Sequence, residues 1–313
     1  MSKPQTLVIA VCTRARQNML LDCMGSIRQL TPHPLFDVSV VICDNNSEPM
    51  PTEDLDAAKA AAGQPVTYVH EAKAGIPLAR NAALQTARQQ NPEWIAFIDD
   101  DEILDPIWLA EMAQAISTWP AEIYHGWTQS TPADPNGPWS FHQPRNKRPA
   151  GTTMDTAGTD NVLFSTKAVE GLMFDEALRF SGGEDLDFFY RATDRNAKII
   201  WVPTAIAREV TPLSRLTFQY QVRRAYSVAS VQAYLSRKRL GAQKAIQKSL
   251  PKAIGRFFGG IAGGIGSGFL FLINQKKGRK LLLSSAKKIA SAIGLVRGTN
   301  MNLGQIYQKI DGS

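Results

Sequence analysis

Three aliphatic runs in the first hundred residues, each ending abruptly in polar or acidic side chains, restrict what this chain can fold into. They are TLVIAVC at 6–12, VSVVICD at 38–44 and EWIAFIDDDE at 93–102. Apolar residues on consecutive rather than alternate positions mark strands covered on both faces, as in a parallel sheet. Between them, apolar residues recur three and four apart. Leu20, Leu21, Met24, Ile27 and Leu30 predict a helix over 18–30, and IPLARNAALQTAR predicts another over 76–88. VTYVHE at 66–71 reads as a further strand. Such alternation predicts an α/β fold with a mostly parallel sheet flanked by helices, in which ligands bind beyond the carboxyl ends of the strands. Thr13 and Arg16, Asp44 and Asn45, and Asp99 to Glu102 all follow the last apolar residue of a predicted strand.

Downstream the rhythm changes. The stretch 120–160 is rich in Pro, Gly, Trp and His and is expected to be a mobile loop over the site. VLFSTKAV at 162–169 and AKIIWVP at 197–203 predict strands. Between them, Gly182 and Gly183 predict a tight turn opening a helix, and Pro212 to Leu240 predicts a long helix. With 313 residues, 44% hydrophobic and 20% charged, the chain is long and apolar enough for a real core, which excludes a disordered or fibrous protein.

The formal charge of +7 resembles that of a nucleic-acid binder until it is mapped. Residues 1–240 are net −4 and residues 241–313 are net +11, with 12 Lys and Arg against one acid. The basic tail lacks the aromatic interleaving that stacks bases, so no nucleic-acid partner is expected. Cys12, Cys23 and Cys43 are odd in number and lack metal-type spacing, as expected of a reducing cytoplasm. The apolar run before Arg14 is too short and badly flanked for a signal peptide. His33, His70, His125 and His142 show no metal-ligand spacing, and neither a phosphate-loop signature nor a GxSxG elbow is present.

Two acidic foci carry the chemistry. Asp99, Asp100, Asp101 and Glu102 crowd one strand end, which is costly unless a cation compensates. Asp99 and Asp101 fall on the same side of an extended chain and suit a hard ion such as Mg²⁺ or Mn²⁺. The alternative is a solvated acidic turn before a helix starting near Pro106. The buried strand WIAFI, which delivers these acids to a ligand-binding edge, favours the functional reading. Glu184, Asp185 and Asp187 form the second focus. They read either as a general base for a hydroxyl or as stabilising acids at a helix N-terminus.

Read together, these segments resemble the family 2 glycosyltransferases. CTRAR at 12–16 resembles the family's (S/T)YNR opening, with Arg14 and Ala15 in place of Tyr and Asn. VVICDNNS at 40–47 is similar to VVDNGS, AGIPLARNAAL at 74–84 to GxxxARNxG, FIDDDE at 97–102 to the DxD segment, and GGEDLDF at 182–188 to the acceptor-side ED motif. The resemblance covers about residues 6–225. It implies a GT-A fold and inverting transfer of a sugar from a nucleoside diphosphate donor. It further implies Thr13, Arg16, Asp44, Arg80, Asp99 and Asp100 on the nucleotide, Asp44 at uracil or ribose and Arg80 near the base or diphosphate. Asp99 and Asp101 are implied on Mn²⁺ or Mg²⁺, and Asp185 as the catalytic base with Glu184 beside it. Gln221 and Arg224 fit the QxxRW pattern of processive synthases, but Ala225 stands where Trp would be, so transfer of a single sugar is expected. Arg215, Arg223 and Arg224 either hold the diphosphate or an acidic acceptor or form a solvated helix face. A sugar nucleotidyltransferase would need a GxGTRL-like opening, which is missing. A noncatalytic membrane-binding module would not need Asp99, Asp101 and Asp185.

These readings divide the chain into a transferase domain over 1–240 and a basic, glycine-rich tail over 241–313. The domain has a nucleotide-sugar half over about 1–105 and an acceptor half over about 106–240. Residues 254–273 are 20 residues with one charge and seven glycines, flanked by lysines on both sides. They are expected to associate with an anionic membrane surface, peripherally or by shallow insertion; a span, a re-entrant hairpin or packing on the domain are the alternatives. A glycan or lipid-linked acceptor and a place on the cytoplasmic face of the inner membrane follow as expectations.

Overall fold

The computed structural model describes residues 3–141, 148–301 and 303. His142 and part of the expected loop, 142–147, lie outside the described residues, as do 302 and 304–313 of the tail.

β1 (Gln5–Thr13), β2 (Phe36–Asp44), β3 (Val66–His70) and β4 (Trp94–Asp99) form a parallel block in the order β3-β2-β1-β4. Their crossovers are α1 (Gln17–Arg28), α2 (Thr52–Ala62) and α3 (Ile76–Arg88). The consecutive apolar residues of β1 serve two cores. Leu7, Ile9 and Val11 pack with Leu20, Met24 and Ile27 of α1, while Val8 and Ala10 pack with Ala79, Ala83 and Leu84 of α3. Each large apolar side chain so buried contributes roughly 1.5–3 kcal/mol relative to exposure.

The same sheet continues beyond β4. β5 (Glu102–Leu104), β6 (Ile123–Pro132), β8 (Val162–Ser165) and β9 (Ile199–Thr211) extend it in the order β4-β8-β6-β9-β5, and the short β7 (Thr153–Met154) pairs with β9. β8 runs antiparallel to β4 and β6, whereas β6 and β9 are parallel. α4 (Trp108–Thr118) and α5 (Glu184–Thr193) complete the body.

Two segments depart from the sequence pattern. The segment 120–160 is not simply a loop, because it contains β6 and β7. The single strand expected over 93–102 breaks at Asp100 and Asp101 and resumes as β5, which is antiparallel to β9. The break turns the acid cluster out of the ladder.

α6 (Phe218–Leu240), α7 (Ala242–Ile273) and α8 (Gln275–Thr299) follow. α7 and α8 form an antiparallel hairpin. Glycine permits its tight packing: a Cβ on Gly260 would lie 2.5 Å from Ile289 Cγ1 and 2.9 Å from the Ser285 carbonyl. α8 then packs on α6, where a Cβ on Gly294 or Gly298 would lie 2.2 Å from the Tyr226 carbonyl or 2.0 Å from that of Ser230. The glycines of the tail are contact surfaces between helices, and α8 is docked on α6.

Candidate active site

The carboxyl ends of the central strands open onto a cavity of about 1210 Å³. At the end of β4 the three aspartates diverge. Asp100 is 4% exposed and points back into the body, where it accepts hydrogen bonds from Thr13 Oγ1 at 2.8 Å and Arg16 Nη1 at 2.9 Å. Thr13 and Arg16 thus anchor the turn while also lining the cavity. Asp99 and Asp101 border the same cavity, and the Asp99 side chain is 45% exposed. Desolvation by the surrounding cavity walls raises the Asp99 pKa to about 6 against the pull of Arg80, with Asp160 and Asp100 adding to the rise. Asp101 is raised by burial and by Asp99, opposed by Arg16 and Arg215. Glu102 plays a supporting part: it is 1% exposed, and its carboxylate accepts from the Asp99 amide at 2.9 Å and Thr128 Oγ1 at 2.8 Å.

The second acid focus opens α5. Gly183 precedes the helix at φ +85°, and a Cβ there would lie 2.1 Å from Val231 Cγ1 of α6. Only glycine satisfies both the backbone angle and the contact. Glu184 is 3% exposed and its Oε1 pairs with Arg80 Nη1, whose Nη2 lies 3.4 Å from Asp99 Oδ1. Arg80 therefore bridges the two foci, reaching Glu184 across 104 residues of sequence. Burial opposes its charge, but Glu184, Asp99 and Asp185 reverse that effect and hold its pKa above the ordinary value. Asp185 lines the cavity, and its pKa is pushed up to about 7 by burial and by Glu184, with Arg80 opposing.

The structure separates Asp44 from this group. Asp44 is fully buried and accepts hydrogen bonds from the Asn46 and Met50 amides, the Asn46 side chain and Tyr68. It organises the turn after β2, and its neighbour Asn45 lines the cavity. Asp187, the third acid of the second focus, is 3% exposed and pairs with Arg191 and Lys238 on the body side.

Two carboxylates in the cavity are not evident from sequence reasoning. Asp160 stands beside Asn161, which is fully buried and fixed by Trp108 Nε1 and the Ala205 carbonyl. Asp160 Oδ1 lies 3.8 Å from His125 Nε2. Burial works against its charge, but the nearby His125 and Thr128 leave its pKa below the ordinary value. A Cβ on Gly158 would be 2.0 Å from Asp160 Oδ1 and 3.6 Å from Asp185 Oδ2, so Gly158 keeps the space between them open. Glu209 of β9 is the other, raised by burial and by Asp101, with Ser130 opposing. The available signals are the polar step Gly158–Asn161 before VLFS and the alternation Ala205, Ala207, Glu209, Thr211.

The donor set suits a hard divalent cation in chemistry. Asp99, Asp101, Asp160 and Glu209 offer only oxygen, and three of them are held above their ordinary pKa by burial and neighbouring acids. Among the described residues, no three acidic, histidine or cysteine side chains form a preassembled metal cage. Further oxygens from a ligand such as a diphosphate would complete a coordination shell.

This architecture is shared with known proteins. The S. aureus TarS chain aligns at a TM-score of 0.51 and 17% identity over 74% of this chain, which spans only 42% of that longer protein. Residues 1–349 of TarS in complex with UDP align over 98% of this chain and 95% of that fragment, at a TM-score of 0.51 and 16% identity. The Pyrobaculum calidifontis mannosyltransferase PcManGT, solved with GDP-Man and Mn²⁺, covers 95% of this chain and 88% of its own, at a TM-score of 0.59 and 15% identity. At these identities the likeness concerns the fold, which is GT-A-like. In sequence, the succinoglycan biosynthesis protein ExoM of Rhizobium meliloti (strain 1021) is 26% identical over 224 residues, covering 70% of this chain and 71% of ExoM. Residues 7–175 match glycosyl transferase family 2, more than half of the chain and the stretch that carries four of the five motifs. The chain belongs to glycosyl transferase family 2.

Proposed function

We propose that this transferase moves one sugar, with inversion, from a nucleoside diphosphate donor to a hydroxyl of a glycan or lipid-linked acceptor, with a divalent cation, in bacterial surface polysaccharide synthesis. One observation carries the reading: Arg80 joins Asp99 of the first acid focus to Glu184 of the second, so that both line a single cavity. The nucleotide-sugar half contributes Asp99 and Asp101 and the acceptor half contributes Asp185. A uridine diphosphate sugar is the donor to test first. The polysaccharide setting is supported by the similarity to ExoM.

In this reading Asp185 accepts the proton of the acceptor hydroxyl as that oxygen bonds to the anomeric carbon. The bond to the donor diphosphate breaks on the opposite face, which inverts the centre. General-base assistance of this kind contributes about 10²–10⁴ in rate. Asp99 and Asp101 would hold Mn²⁺ or Mg²⁺, which when bound offsets charge on the departing diphosphate. Arg80 pairs with Glu184 and fixes it beside the base. Thr13 and Arg16 act through Asp100, holding the turn that presents its two neighbours.

The partner surface extends to the membrane through α7, which is long and apolar enough to cross one. Ile254, Phe258, Ile261, Ile265, Phe269 and Leu272 recur every three or four residues and are 40–87% exposed. Residues 241–301 carry eleven Lys and Arg and no acid, a composition suited to anionic headgroups at the cytoplasmic face of the inner membrane.

Calorimetric titration with a panel of nucleotide sugars, with and without Mn²⁺, tests the reading. Metal-dependent binding of one donor, lost in Asp101→Ala, is expected. Absence of binding by every donor would overturn it.

A further inference from the structure

The cavity is chemically two-sided. Opposite the acids of the sheet edge, its wall is formed by the helical hairpin: Arg256 of α7 and Lys280, Lys287 and Lys288 of α8, with Arg224 of α6 beside them. On α8 the lining positions Lys280, Ser284, Lys287, Lys288 and Ser291 follow helical spacing, so one continuous stripe faces the opening. A different stripe, including Ala292, Gly294, Leu295 and Gly298, is the buried one, and Leu283 lies between the two. None of these five cations forms an ion pair with a carboxylate among the described residues, in contrast to Arg16, Arg80, Lys238 and Arg239, which all do. Burial and the neighbouring Arg224 hold the Lys287 pKa below its ordinary value, as expected for a cation facing other cations without a counter-ion.

Arg256 is half-buried and the other four are exposed along the cavity wall, where like charges with no carboxylate among them repel one another and draw in an anion that relieves the repulsion. We propose that this wall, contributed by α6 and the α7–α8 hairpin, is a phosphate or diphosphate subsite for the acceptor. It would hold an anionic group of the acceptor while the acceptor hydroxyl lies at Asp185. The inference rests on the transferase reading for the word acceptor, but the anion site itself does not. Two features favour acceptor over donor. The wall belongs to elements outside the nucleotide-sugar half, and the arginine beside Asp99, Arg80, is already engaged by Glu184. The apolar stripe of α7 adjoins the wall on the same hairpin, so an anion attached to an apolar chain would meet matching chemistry on both counts.

The test uses the full chain in EDTA with inorganic pyrophosphate and farnesyl diphosphate as probes, and separately UDP or GDP with Mn²⁺. In the Lys287→Gln/Lys288→Gln variant, pyrophosphate affinity is expected to fall by about 10-fold to 100-fold, as for the loss of charge-assisted contacts, while nucleotide affinity changes less than about twofold. Ser284→Glu, which places an acid on the same stripe, is expected to reproduce the loss without removing a lysine. Unchanged pyrophosphate affinity in both variants overturns the inference. So does a parallel loss of pyrophosphate and nucleotide, which would assign the wall to the donor. Tighter binding of farnesyl diphosphate than pyrophosphate identifies a lipid as the source of the anion, and equal binding identifies a free or sugar-borne phosphate. If wild-type protein binds pyrophosphate at the wall but no nucleotide, the transferase reading fails and the anion site stands.

Discussion

Burial and the adjacent Glu184 keep Asp185 protonated up to about pH 7, and a base must be free of its proton to act. Transfer measured as kcat/KM is therefore expected to fall tenfold per pH unit below about 7 and to level above it. Asp185→Asn should lower transfer by about 10²–10⁴ while donor binding persists. The same shift has a consequence for stability. A carboxyl with a folded pKa above its ordinary value favours the folded state at low pH and loses that contribution as pH rises through about 7. Asp185→Asn should thus raise Tm, and by more at pH 8 than at pH 5. An activity profile flat from pH 5 to 8 would remove Asp185 from the role. Arg80 offers a second test, because its side chain and that of Glu184 are only 11% and 4% exposed. Arg80→Met leaves Glu184 as an uncompensated buried charge and should cost about 3–5 kcal/mol in urea unfolding. Adding Glu184→Gln should recover most of it, whereas additive losses would show that the pair is not coupled. At this scale the DDD and ED segments were legible as acids at strand and helix ends. The inward turn of Asp44 was not, because its four hydrogen bonds come from a turn whose geometry no local pattern encodes. Asp160 was hidden for a related reason: its position depends on Asn161 reaching Trp108 and Ala205, both distant in sequence.

Among the elements, stretches whose apolar side chains pack in the core were readable, including β1 and α3, which carry Thr13 and Arg80 to the cavity, whereas stretches that only line the cavity were not. β1 and α3 follow their periodicities closely because every inward side chain packs on another element. β6 reads IYHGWTQSTP, apolar at its buried start and polar where Thr128, Ser130 and Pro132 face the cavity. Its apolar signal is lost where it lines the cavity, so the sequence pattern there is that of a loop. β9 bulges at 203–205 between its pairings with Gly126 and Trp127, and Gly126 makes room for it, since a Cβ there would lie 2.4 Å from the Ala205 carbonyl. α2, sequence TEDLDAAKAAA, buries only Ala58 and Ala62 and offers little apolar signal. The hairpin was visible as apolar and basic, but its docking depends on Gly294 and Gly298 meeting α6 backbone. Gly298→Leu should force α8 away from Ser230. Amide exchange in α7 and α8 is then expected to rise by at least about tenfold while β1 and β4 stay protected. Unchanged exchange in α8 would show that the contact does not hold the hairpin.

For the molecule as a whole, charge and apolar surface are distributed so that the acidic sheet edge and the basic hairpin share one cavity, while the apolar stripe of α7 faces outward. Net charge read without position suggested nucleic acid; read along the chain it separated a net acidic body from a basic tail. The fold then returns that tail to the site, since α8 packs on α6 and α6 touches Gly183 at the start of α5. A membrane bound through α7 would therefore lie next to the cavity wall rather than at the end of a tether. Each buried large apolar side chain contributes roughly 1.5–3 kcal/mol, so removing two from the stripe should matter more than removing one lysine at about 1 kcal/mol. Ile265→Glu/Phe269→Glu, at positions 65% and 67% exposed, is expected to abolish co-sedimentation with vesicles containing anionic lipid without changing Tm. Raising salt should weaken wild-type binding only partly, because screening acts on the lysines and not on the apolar contact. Sedimentation of the variant equal to wild type, or complete release of wild type by salt alone, would show that α7 does not insert and that the basic residues act by themselves.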